Sequence, residues 1–183
     1  MSEANEILNE IEGMAERKFL PIVGSEKGKV LEKTLLEAEP KRVLEIGTLV
    51  GYSAILMGKE LGSEAHLITI ENDDDEARIA RRNVERAKIR PTVKVIVGDA
   101  REVIPKLQGE FDLVFVDAKK TEYLEYLQLV ETKLHKGSTI VADNAGIFAD
   151  EMSDYLEYVR SSGKYSSKFV PVGEDGLEVS VKL

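Results

Sequence analysis

The sequence predicts an α/β fold: a mostly parallel, seven-stranded sheet with helices on both faces and a C-terminal antiparallel hairpin. Three observations carry this. Apolar strand-like runs alternate with helical patterns five times between residues 42 and 161. Such alternation builds a parallel sheet covered on both sides. The first run, Val43-Leu44-Glu45-Ile46, passes into its helix through Gly47-Thr48-Leu49-Val50-Gly51, a tight glycine turn. At the end, residues 168–172 and 177–181 flank Gly173-Glu174-Asp175-Gly176, the pattern of a hairpin.

The elements follow in order. Residues 3–19 place Ile7, Leu8, Ile11, Met14 and Ala15 on one face of an amphipathic helix, which Leu20-Pro21 breaks. Ser25 is the expected N-cap of a second helix over 26–38, which carries apolar Val30, Leu31, Leu35 and Leu36 and ends at Glu39-Pro40. Strands are expected at 42–46, 66–70, 93–97, 113–116 and 139–142, with helices at 52–61, 73–87, 100–107, 121–134 and 149–161. The helix at 73–87 opens on an acidic run that suits a helix N-terminus. Gly137 and Gly163 read as stops past the ends of two helices. One domain over 1–183 is expected, with the helices of 1–39 capping a core at 40–183.

Composition sets limits. A chain of 183 residues, 43% hydrophobic and 32% charged, suits one globular unit with a full core. There is no Cys, which excludes disulfides and thiolate metal sites. The two histidines, His66 and His135, stand in unrelated contexts. No apolar run approaches the roughly 20 residues of a membrane span, and the acidic N-terminus lacks a signal core, so a cytoplasmic protein is expected. A net charge of −9 argues against a broad phosphate-binding surface, so nucleic acid is not an expected partner. A homodimer is compatible with these features.

The regularity that points to function lies at the strand ends. They carry Glu45, Glu71, Gly98-Asp99, Asp117 and Asp143-Asn144 in turn. In an open parallel sheet, ligands bind outside the carboxyl ends of the strands, so these acids converge on one edge. Glu71 stands about 20 residues past the glycine turn, where an acid suits ribose hydroxyls. Asp117, Asp143 and Asn144 supply three oxygen ligands, a set for Mg²⁺ or another hard divalent ion. Lys120, beside such an ion, loses its proton more easily and suits a general base. Leu49 stands where the dinucleotide fingerprint G-x-G-x-x-G needs its central glycine, which argues against a nicotinamide-dependent dehydrogenase.

The stretches 43–53, Thr69-Ile70-Glu71, Gly98-Asp99-Ala100, 111–120 with Tyr123, Ala142-Asp143-Asn144 and Asp175-Gly176-Leu177-Glu178 together carry a resemblance. From about Val23 to Leu183 the chain resembles the S-adenosylmethionine-dependent O-methyltransferases of the catechol and caffeoyl-CoA type, closest to the catechol branch. The resemblance implies a Rossmann-like class I methyltransferase fold, S-adenosylmethionine and Mg²⁺ as cofactors, and a small hydroxylated aromatic acceptor. It implies Val23, Glu45, Gly47 and Ser53 around the methionine part of the cofactor, Glu71 on the ribose with Asn72 beside it, and Gly98, Asp99, Ala100 and Arg101 along the adenine. It implies Asp117, Asp143 and Asn144 on Mg²⁺, with Asp117 also near the cofactor amine. It implies Lys120 as catalytic base and Glu178 as the acid that holds the second hydroxyl. The chain departs from the catechol pattern by having no Trp to wall the acceptor, with Lys119 and Phe148 at wall and gate positions. Two alternatives remain: a methyltransferase acting on a hydroxylated tRNA base, which needs the basic residues around Arg78 to Arg90 exposed and free, and a non-catalytic cofactor-binding domain.

Overall fold

The structure, a computed structural model, describes residues 2–183. Seven strands form one sheet in the order β3-β2-β1-β4-β5-β7-β6. They are β1 (Arg42–Ile46), β2 (His66–Glu71), β3 (Thr92–Val97), β4 (Phe111–Val116), β5 (Leu134–Ala142), β6 (Tyr165–Val172) and β7 (Asp175–Lys182). The first five pair in parallel, β7 runs antiparallel beside β5, and β6 pairs antiparallel with β7 at the edge. This is the expected mixed sheet with its terminal hairpin.

Helices α1 (Glu3–Ala15), α2 (Gly24–Ala38), α3 (Tyr52–Glu60) and α4 (Asp74–Ala87) cover one face. Helices α5 (Ala100–Val103), α6 (Tyr123–Val130) and α7 (Ser153–Ser161) cover the other. The central strands are apolar on both sides, as double coverage requires. Val43, Leu67, Leu113, Phe115 and Val141 face the first helical layer, while Leu44, Ile46, Val114, Ile140 and Ala142 face the second. Ala4, Ile7, Leu8 and Ile11 of α1 and Leu31 and Leu35 of α2 join the first core, so the N-terminal helices are packed into the body of the fold. Asp73 caps α4 by accepting from the N–H groups of Asp75 (2.9 Å) and Glu76 (3.0 Å). No helix among the described residues is long and apolar enough to cross a membrane.

Several boundaries differ from expectation. The helix expected at 3–19 ends at Ala15, that at 100–107 ends as a helix at Val103, and that at 121–134 runs only over Tyr123–Val130. Helix α2 starts at Gly24 with Val23 at its N-cap and no side-chain cap, so Ser25 lies inside the helix. Strand β5 begins at Leu134, five residues early, and Gly137 sits within it. Residues 135–138 bulge out of β5 between two paired positions, Leu134 on Phe111 and Thr139 on Leu113, and Ser138 Oγ closes the bulge on the Phe111 carbonyl (2.8 Å). Helix α7 begins at Ser153, because residues 143–152 form successive turns. The hairpin turn is only Gly173-Glu174, so Asp175 and Gly176 belong to β7.

Candidate active site

The carboxyl ends of the strands open into a cleft of about 820 Å³. Val23, Gly47, Ser53, Glu71, Asn72, Gly98, Asp99, Ala100, Arg101, Asp117, Lys120, Asp143 and Asn144 all line it. Two expected residues do not. Glu45 lies one layer below, and Glu178 points elsewhere.

The glycine turn is shaped by its neighbours. Gly47 has φ +96°, and a Cβ there would lie 2.0 Å from the carbonyl oxygen of Asp117, so only glycine lets the ends of β1 and β4 close up. Leu49 itself is left-handed at φ +50°, a strained state for a branched side chain. Glu71 holds it there: its Oε2 accepts from the N–H groups of Leu49 (2.7 Å) and Thr48 (3.1 Å), and its Oε1 accepts from Asp73 N–H (3.0 Å). The acid expected on a ribose therefore also fastens the turn.

Glu45 is fully buried on β1. Thr69 donates to its Oε2, while Oε1 has no well-formed hydrogen bond. Burial pushes this carboxyl up to about 8, against the pull of the Ser53 and Thr69 hydroxyls. At the mouth, Asp99 caps α5 and holds the Arg101 guanidinium at 2.5 Å. That contact keeps the Asp99 carboxyl down at about 2.

The other half of the cleft gathers around β4, β5 and β7. Asp117 and Asp143 continue the ladder just past their strands, with Asp117 N–H on Ile46 O and Asp143 N–H on Val116 O. Lys120 Nζ donates to Asp117 Oδ1 (2.9 Å) and Tyr123 Oη (3.0 Å) and lies 6.0 Å from the centre of the Phe148 ring. Asp143 is buried, and burial together with the Asp117 charge raises its carboxyl to about 6.

Two residues here escaped sequence reasoning. Lys27 of α2 reaches both oxygens of Asp143 (2.7 and 2.9 Å) and Asp175 Oδ2 (3.0 Å). Asp175 accepts in addition from Asn144 Nδ2 (2.8 Å) and from the N–H groups of Gly146 and Ile147 (3.1 Å each). Its hold on Nδ2 fixes the plane of the Asn144 carboxamide, whose backbone is left-handed at φ +62°. The Asp-Gly pair of the C-terminal motif was the available signal for Asp175. Nothing in the sequence marks Lys27.

Glu178 is a correction. Its carboxylate is fully buried on the α7 side of β7, bound by Arg160 Nε (2.9 Å), the second Arg160 nitrogen (2.6 Å) and Ser167 Oγ (2.6 Å). Alternation along a strand explains it: Leu177 faces the first core, so Glu178 must face the second. In the basic stretch around α4, three of the six cationic side chains pair with acids. Arg78 pairs with Asp74 and Asp75, Arg86 with Glu10, and Lys88 with Glu3.

The donors fit the groups the resemblance implies. Asp117, Asp143 and Asn144 offer hard oxygen to a divalent cation. Among the described residues no three His, Cys, Asp or Glu side chains form a cluster that could hold a metal ion. An unpartnered buried oxygen beneath a glycine turn suits a ligand that carries an ammonium.

The profile of a family described as O-methyltransferase matches residues 1–157. Catechol O-methyltransferase B of Danio rerio is 38% identical over 180 residues, covering 91% of this chain and 67% of that protein. Catechol O-methyltransferase of Bos taurus is 35% identical over 176 residues, covering 89% of this chain and 64% of that protein. The chain thus spans about two thirds of the length of these relatives. The crystal structure of the O-methyltransferase TomG from Streptomyces achromogenes, in complex with SAM, superposes with a TM-score of 0.87 at 26% identity, over 97% of this chain and 89% of that one.

Proposed function

This chain belongs to the O-methyltransferase family, and from that premise we propose that it moves a methyl group from S-adenosylmethionine to one hydroxyl of a catechol-like vicinal diol, with Mg²⁺ bound. The observation that carries the reading is the meeting of Asp117, Lys120, Asp143 and Asn144 at one end of a cleft whose other end is walled by Glu71 and Gly98–Arg101.

Each residue then has a task. Glu71 takes the ribose hydroxyls, with Asn72 beside it, and Gly98, Asp99, Ala100 and Arg101 border the adenine. Gly47 and Ser53 hold the amino and carboxylate ends of the methionine, Glu45 acts from the layer below, and Val23 closes the side. Asp117, Asp143 and Asn144 hold the metal, and Asp117 also lies near the cofactor amine. Mg²⁺ held by these residues would supply Lewis acidity to the acceptor hydroxyl. Lys120 Nζ receives the hydroxyl proton, and Tyr123 Oη keeps that nitrogen turned toward the cleft. Fixing donor and acceptor in line contributes most of the acceleration. Phe19, Ile147 and Phe148 give the acceptor an apolar rim in place of tryptophan walls.

The test is methyl transfer from labelled S-adenosylmethionine to a panel of vicinal diols and their mono-hydroxy analogues. Turnover of diols that stops in EDTA and returns with Mg²⁺ is expected. Undiminished turnover in chelator removes the metal from the reading, and equal turnover of mono-hydroxy analogues removes the diol. The net charge of −9 weighs against the tRNA alternative, and a labelled tRNA that accepts methyl at moderate salt would reverse that judgement.

A further inference from the structure

We propose that Lys27 is a tethered counter-cation of the metal centre, holding the carboxylates in place without metal and setting how weakly Mg²⁺ binds. The inference rests on the metal reading above and adds a residue that the expected ligand set does not contain.

The argument starts from charge. Asp117, Asp143 and Asp175 bring three carboxylates to the ends of β4, β5 and β7, and Asp143 is only 1% exposed. Buried carboxylates repel one another unless a cation lies among them. Lys27 supplies one from a different layer of the fold, 116 residues away in sequence from Asp143. Its ammonium engages both oxygens of Asp143 and is anchored on its other side by Asp175. The Lys27 side chain is itself only 14% exposed, so water does little to weaken the contact.

Both oxygens of Asp143 are thereby engaged. Oδ1 also accepts from Asn144 N–H (2.7 Å), so a metal ion that takes Asp143 competes with the ammonium for these oxygens and binds beside a positive charge. Asp175 gives that ammonium a second anchor to fall back on. The arrangement is a two-position cation: on Asp143 and Asp175 without metal, on Asp175 with it. Two consequences follow. The site keeps its shape without metal, and its affinity for Mg²⁺ is lower than the bare oxygen ligands would give.

The experiment is calorimetric titration of Mg²⁺ into the full chain with S-adenosylmethionine present, for wild type, Lys27→Gln and Lys27→Arg. Lys27→Gln removes the competing charge and is expected to bind Mg²⁺ at least about tenfold more tightly. Lys27→Arg keeps the charge and stays within about threefold of wild type. In chelator, Lys27→Gln melts below Lys27→Arg, and saturating Mg²⁺ closes the gap. A second measurement needs no variant. Acylation of Lys27 in wild type, followed by mass spectrometry, is expected to rise severalfold on adding Mg²⁺. Equal or weaker Mg²⁺ binding by Lys27→Gln, or labelling indifferent to Mg²⁺, overturns the proposal and leaves the metal reading intact. Absence of any Mg²⁺ binding by wild type overturns both.

Discussion

The two halves of the cleft satisfy their buried acids by opposite means. At the ends of β1 and β2, neutral groups do it: backbone N–H groups hold Glu71, and a threonine hydroxyl holds Glu45. At the ends of β4, β5 and β7, ammonium groups do it, Lys120 on Asp117 and Lys27 on Asp143 and Asp175. Neutral donors fix a shape without cancelling charge, and burial leaves Glu45 largely protonated at neutral pH, with its carboxyl pushed up to about 8. Ammonium donors cancel the charge and can be exchanged for another cation. Under the function proposed above, the first half would take an organic ligand with hydroxyl and amine donors, and the second an ion.

The joint between the halves is Gly47, packed on the Asp117 carbonyl, and breaking it has the largest expected effect. Gly47→Val forces that contact apart and costs more than about 3 kcal/mol in urea unfolding, with both binding functions lost together. Loss of only one function would show that the halves are independent. Next is Lys120→Ala, which is expected to lower kcat by about 10²-fold while S-adenosylmethionine affinity holds, as for loss of a general base. Near-normal kcat would take the lysine out of the mechanism. Glu178→Gln tests the corrected residue. It leaves the Arg160 guanidinium without its anion and costs about 1–3 kcal/mol in thermal or chemical unfolding, with kcat near wild type. A large fall in kcat at unchanged stability would return Glu178 to the acceptor site. Glu71→Gln weakens S-adenosylmethionine binding by about tenfold in a titration and leaves Mg²⁺ binding alone.

The smallest effect lies at the opposite, amino-terminal edge of the sheet, where His135 Nε2 meets Asp112 Oδ1 at 2.8 Å. The Lys136 carbonyl and Asp112 raise the imidazole above its ordinary value. Its contribution to stability is full below the unfolded histidine pKa near 6.5 and fades as pH rises through the higher folded value. His135→Asn should flatten the stability–pH curve in that window without touching either half of the cleft. An unchanged slope would show that the pair contributes nothing.

What was legible in the sequence follows the same division. The fold could be read because apolar runs and helical patterns alternate, and each parallel strand ends in an acid or an acid-bearing turn. The left half could be read because its parts are local: a glycine turn and the acids that follow β2 and β3. The right half was read only in part. Asp117, Asp143 and Asn144 end strands and announce themselves. Lys27 lies on a helix, and its partners arrive only through tertiary packing, which no local pattern encodes. Glu178 was misplaced because motif order was weighed over strand parity. Residues 175 and 178 differ by an odd number, so one turns to the cleft when the other turns away. The start of β5 does not show in the sequence because Gly137 in a polar run looks like a helix stop, whereas here it sits at φ +91° in a bulge between two paired stretches of the strand.

The packing of α1 and α2 into the first core bears on how this enzyme's acceptor range can change. Those helices share buried contacts with the sheet, and Tyr52 of α3 donates to Glu12 of α1, so the N-terminal pair is a fixed wall and not a lid. The part of that wall facing the cleft is the connector of residues 16–23, which brings Phe19, Pro21, Ile22 and Val23 to the rim. Phe19 is 93% exposed and contributes almost nothing to the fold. A protein engineer, or a lineage under selection, can therefore change the rim at Phe19 at little risk to stability, whereas Val23, and Ile22 beside it, belong to the first core. The helices on either side, and Asp117, Asp143 and Asn144 across the cleft, would stay where they are.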